Sequence, residues 1–146
     1  MAGKSDALEA GYLDLLFLNI ALTLVGNAGG LLPSSVAGSL YFSLHTADPT
    51  DAGTQSTSEV AYTSYARTAV ARSGAGFSRS ANAVSIVSPV TFPAGTGGSG
   101  TATFWGIGTD ASGTGKLLYS GAISPSIVCG NGVTPQLAAG TAVTED

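Results

Sequence analysis

Ser39-Leu40-Tyr41-Phe42-Ser43-Leu44-His45 sets Leu40, Phe42 and Leu44 against Tyr41, Ser43 and His45. A period of two sends alternate side chains to opposite faces of a sheet, so this run predicts a half-buried strand with His45 in its outward phase. Downstream, strand-like runs recur at 65–72, 83–87, 90–92, 101–108, 117–120 and 123–128, with weaker ones at 133–138 and 141–144. Glycine and serine clusters at 73–76, 95–100 and 110–115 separate them. Short strands at this spacing, with no helical pattern between them, predict a mainly β fold: an antiparallel, jelly-roll-like β-sandwich. Pro89, Pro93, Pro125 and Pro135 are expected at strand edges or bulges, where a missing N–H does least harm. Residues 46–58, dense in Thr, Asp, Pro and Gly, read as a surface loop.

Upstream the periodicity changes. Asp6 and Glu9 suggest a capping box, and Leu8, Tyr12, Leu15, Leu16 and Asn19 then share one helical face. The spacing predicts one N-terminal α-helix over 6–24, ended by Gly26, Asn27, Gly29 and Gly30, with Pro33 beyond. The chain is read as a single globular domain. Residues 1–30 form a helical extension, packed on the sheet or reaching to a partner, and residues 39–146 form the sandwich.

Composition narrows the function. Five basic and nine acidic residues among 146 leave 10% charged and a net charge of −4, against about a quarter charged in ordinary soluble domains. With one histidine, His45, and one cysteine, Cys129, the chain has little material for proton transfer, metal binding or phosphate capture. Its acidic balance speaks against nucleic acid, whose recognition needs a basic face. A hydroxyl- and glycine-rich surface is instead suited to lying against another protein, where few charges need desolvation. Cys129 has no partner for an internal disulfide and is expected to be a small buried hydrophobe. The apolar run 15–25 is about half the ~20 residues a membrane span needs. Asp6, Glu9 and Asp14 precede or enter it, so neither a membrane span nor a secretory leader is expected.

Each chemical motif has a plainer reading. Asp48, Asp51 and Glu59 could hold a hard cation, but their spacing is not that of a twelve-residue calcium loop; Asp48 and Asp51 are expected to be turn formers, and no metal or cofactor is assigned. The same carboxylates are the one candidate set for a polysaccharide hydrolase, and no catalytic residue is assigned. No recognised motif pairs a serine or cysteine with His45. Gly106 and Gly108, and Gly115-Lys116, lack the context of nucleotide fingerprints and read as hairpin loops. Arg67 and Arg72 fall on opposite faces if their run is a strand; either could pair with a carboxylate of the 48–59 loop or with the acidic tail. In Phe104-Trp105-Gly106-Ile107, one aromatic is expected in the core and the other at the helix or a neighbouring subunit. An exposed Trp105 would favour sugar binding.

Several segments resemble a family of small virion proteins of tailed bacteriophages and prophages: 44–53 (LHTADPTDAG), 65–72 (YARTAVAR), 90–94 (VTFPA), 115–121 (GKLLYSG) and 131–146. Members are described as tail-fibre proteins or as capsid decoration (cement) proteins. The resemblance implies a β-sandwich virion component without catalytic residues. Phe104 departs from it, standing where many relatives place a histidine. The expectation is a capsid decoration protein, made in the host cytoplasm and carried on the virion. Its expected partners are the major capsid protein and itself, as a dimer or trimer, and neither nucleic acid nor membrane. The alternative is a tail or tail-fibre module that binds a host-surface glycan. Expected interface residues are Leu8, Tyr12, Leu15 and Leu16 on the helix, Asp48 and Asp51 in the loop, and Arg67, Arg72 and Trp105.

Overall fold

A computed structural model describes residues 3–145. The chain is mainly β, with several antiparallel sheets and one N-terminal helix, consistent with a β-sandwich. Two compact units divide it: one comprises 1–39, 71–89 and 138–146, the other 40–70 and 90–137.

The first unit holds the helix and a three-stranded sheet. Helix α1 (Asp6–Leu13) is capped by Ser5, whose Oγ accepts from the Leu8 N–H, so Ser5 rather than Asp6 starts it. A π-helical turn, Asp14–Leu18, follows and ends at Asn19, whose φ is +56°. Helix therefore stops short of residue 24. Asn19 tolerates the left-handed conformation, and its amide exchanges two hydrogen bonds with the Ser34 backbone, each 2.9 Å. That long-range pairing turns the chain away from the helix axis. Leu13 and Phe17 are fully buried, and the Phe17 ring meets Phe77 edge-on at 5.1 Å. Phe77 opens β3 (Phe77–Ser80), which pairs with β4 (Ala83–Ile86).

The second unit is built around β1 (Ser39–His45), an inner strand of the sheet β2-β1-β6-β7, where β2 is Thr68–Ala71, β6 Ser99–Gly108 and β7 Leu117–Gly130. Leu40, Phe42 and Leu44 are core, as the alternation predicts, but Ser43 and His45 are also fully buried. The loop 46–58 folds back over this face: its Gln55 is buried, with Nε2 donating to the Tyr41 carbonyl and Oε1 accepting from the Asp110 N–H. The runs 117–120 and 123–128 are one strand. Its register jumps from Ala102–Ile127 to Phe104–Ala122, so residues 123–126 bulge opposite Thr103 and carry the cis Ser124–Pro125 bond. An edge strand tolerates this, because one side of it needs no ladder.

Two further pairings complete the strands. In the second unit β5 (Val90–Thr91) pairs with β8 (Gln136–Leu137). In the first, β4 pairs with β9 (Ala142–Thr144). Among the described residues no helix is long and apolar enough to cross a membrane.

Candidate functional site

Glycines shape the interior of the second unit. Gly106 and Gly108 lie within β6 rather than in a loop. A Cβ on Gly106 would stand 2.7 Å from both His45 Nε2 and Ser43 Oγ, and one on Gly108 would strike the Gln55 side chain. The spacing that resembles a nucleotide fingerprint thus makes room for buried polar groups. Gly121, opposite Trp105 in register, leaves a slot for the indole, which is 7% exposed. Trp105 is therefore buried in the core, and Phe104 is the half-buried aromatic of the pair.

His45 lies inside, not on the outward face. Its Nδ1 stands 2.7 Å from the Thr57 carbonyl, which can only accept, so Nδ1 carries the proton and Nε2 accepts from the Ser43 hydroxyl at 2.8 Å. Burial pushes the histidine pKa below its ordinary value, opposed by the Thr57 bond and by Glu59. A serine two residues along one strand face is thus paired with the histidine, as no motif suggested. Both side chains are fully buried and the third partner is a backbone carbonyl, so the pair is a core hydrogen-bond network. A serine nucleophile needs its Oγ beside a substrate carbonyl, and this one faces the packed interior.

Arg67 precedes β2, and its side chain is 3% exposed. Nε and a terminal nitrogen each meet a different Glu59 oxygen at 2.8 Å, the bidentate geometry of the stronger ion pairs. Two more N–H groups reach the carbonyls of Asp110 and Gly113, tying down the β6–β7 loop. Tyr65 donates to Glu59 and accepts from the Leu44 N–H, and burial raises its pKa. Glu59 is thereby held by Arg67 and Tyr65, while Asp48 Oδ1 caps the Thr50 N–H. Among the described residues no three His, Cys, Asp or Glu side chains gather as a metal site. Asp48 and Asp51 are exposed on their loop. Cys129 is buried, and burial pushes its thiol pKa up.

Of the helix residues, Leu8 and Tyr12 are exposed, while Leu15 and Leu16 are half-buried and contribute their carbonyls. Arg72 donates to both at 2.5 and 2.6 Å, placing a cation at the negative end of the helical segment. The same guanidinium reaches Ser34 Oγ and the Ala37 carbonyl. Arg72 is thus an internal clamp of the first unit, and Arg79 likewise pairs with Asp14.

Much of the exposed apolar surface among the described residues follows the helix, beginning where the helix was expected to continue. Residues 20–36 form an arm closed by the Leu22–Leu31 bridge, with Asn27 Oδ1 accepting from the Gly29 and Gly30 N–H groups at its turn. Leu22 packs where Gly11 lacks a side chain, which roots the arm on the helix. Ile20, Leu24, Val25, Leu31, Leu32 and Val36 all stand exposed, Leu24 and Val36 by about four-fifths. The signal was present: apolar pairs on both sides of Gly26-Asn27-Ala28-Gly29-Gly30 are a hairpin pattern. The family model described as podophage GP4 fiber I protein gp80 matches residues 3–145. No curated protein matches the chain.

Proposed function

Since the chain belongs to the family of the podophage GP4 fiber I protein gp80, and is a bacteriophage virion structural protein, we propose that it serves as a structural subunit of a tail-associated fibre. The match over residues 3–145 carries this reading, because it takes in both units and the arm. The role is assembly rather than catalysis. Glu59, the carboxylate that might have worked with Asp48, is engaged by Arg67 and Tyr65, and the Ser43–His45 pair is closed inside the core. With Trp105 in its slot, sugar recognition loses the feature that would have supported it, and the fibre role stands without it.

Capsid decoration is the second reading, with the major capsid protein as partner. It draws on the charge-poor, hydroxyl-rich composition, which suits flat contact with other virion proteins. Copy number separates the two. Quantitative mass spectrometry of purified virions against the major capsid protein should give a few to a few dozen copies for a fibre. Hundreds, close to one per capsid subunit, would overturn the fibre reading in favour of decoration.

A further inference from the structure

We propose that the arm formed by residues 20–36 is the contact through which copies of this chain join each other, arm against arm. The inference rests on the fibre reading, since a fibre is built from repeated subunits, and it names the surface that joins them. Four observations carry it.

The first is exposure: Leu24, Leu32 and Val36 are 80, 73 and 79% exposed, an apolar concentration that a soluble surface covers when it assembles. The second is order. The Leu22–Leu31 bridge, the two Asn19–Ser34 hydrogen bonds and the Arg72 bond to Ser34 hold the arm in a defined shape, so its leucines are presented rather than tethered loosely. Leu24 also has φ +67°, a conformation that leucine avoids.

The third is charge, which permits a second copy as the occupant. From Leu15 to Ala47 there is no Asp, Glu, Lys or Arg, although the chain carries a net charge of −4. Two identical acidic molecules repel wherever their charges face each other; on this arm they meet without like-charge opposition. The fourth is size. A stable interface uses about 20–30 residues a side, and the 17 residues from 20 to 36 supply most of one from a single segment.

The test uses the isolated full chain in sedimentation velocity across about a hundredfold range of concentration. The wild type is expected to sediment as an oligomer. Leu24→Asp and Val36→Asp should sediment as monomers with unchanged circular dichroism and thermal midpoint. Milder Leu24→Ser and Leu32→Ser changes should weaken association at least tenfold, which protects the reading if an aspartate disturbs the fold. Val128→Asp, at an exposed position on β7, should leave assembly intact. Under mild oxidation, single cysteines placed in turn at 24, 25, 31, 32 and 36 should give at least one disulfide-linked pair, from the position nearest the symmetry axis of an arm-against-arm contact. A monomeric wild type, or arm variants that assemble as the wild type does, overturns the proposal. So does an oligomer in which none of these cysteines cross-links. None of these bears on copy number in the virion, so failure of the arm contact and failure of the fibre reading are read separately.

Discussion

Replacing Gly121 by alanine adds one methyl group at the most tightly fitted point of the second unit. An ideal Cβ there lies 2.6, 2.7 and 2.9 Å from Cζ2, Cε2 and Nε1 of Trp105. Ordinary contact needs about 3.5 Å, so the indole must move by roughly 0.6–0.9 Å. Trp105 is 7% exposed and also packs near Phe42, at a ring separation of 6.3 Å, so it has little room to give. Overpacking of this kind costs about 1–3 kcal/mol. Gly121 has no left-handed φ, so alanine meets no backbone strain and regains about 0.5–1 kcal/mol through lower chain entropy. The net is a loss of about 1–2 kcal/mol, or roughly 3–8 °C in thermal midpoint for a chain of this size.

Trp105 is the single tryptophan, so its fluorescence follows the site directly. Gly121→Ala should lower the urea midpoint and shift the native emission. The decisive arm is a double-mutant cycle followed by circular dichroism. Trp105→Phe alone leaves a void and costs about 2 kcal/mol. In that background the Gly121 methyl enters the vacated space, and its cost should fall to within about 0.5 kcal/mol of zero. Equal costs in the two backgrounds, or a neutral Gly121→Ala with unchanged emission, would refute the slot.

Glu59→Gln keeps the shape of the buried ion pair and removes its charge, leaving Arg67 at 3% exposure without its counterion. Removing one partner of a buried pair costs about 3–5 kcal/mol, so calorimetry should show a midpoint lower by about 10 °C or more. Arg67→Lys should recover only part, since lysine cannot bond both Glu59 oxygens and the two loop carbonyls together. His45 gives a pH dependence of defined sign. Its pKa is lowered in the folded chain, so the unfolded chain takes up the proton first as pH falls. Stability should be flat above the ordinary value of 6.5 and decline below it, until the folded histidine also titrates. Thermal midpoints from pH 7.5 to 5.5 should show this decline, and His45→Gln should flatten it across that window; an unchanged slope would remove His45 as its cause.

What could be read from the residues was the local pattern, and what could not was set by contacts distant in sequence. Alternation located β1 and most of β2 to β9, because apolar residues at period two need no knowledge of the partner strand. β3 escaped notice because Phe77 is its one large apolar residue and its pairing depends on the turn at Ala81. Burial of Ser43 and His45 was invisible in the alternation, since the cover is Gln55 and Thr57 from a loop that local composition places on the surface. The Arg67–Glu59 pair was legible as one of several possible pairings. The Trp105 slot was not, because it depends on a register that puts Gly121 opposite the indole.

The charges follow one logic from composition to assembly. Arg67, Arg79 and Lys4 pair with Glu59, Asp14 and Glu145, and Arg72 is engaged by the carbonyls of Leu15 and Leu16. Four of the five basic side chains are thus committed inside their own unit, with Lys116 the fifth. Positive charge that braces loops and a helix end is not available to steer an anionic ligand, and the balance left over is acidic. Residues 20–36 carry no charge and expose several leucines and valines, which suits the arm contact proposed above. Placing one carboxylate at Leu24 should weaken the proposed association by far more than removing one from Asp51, which is also exposed but polar already.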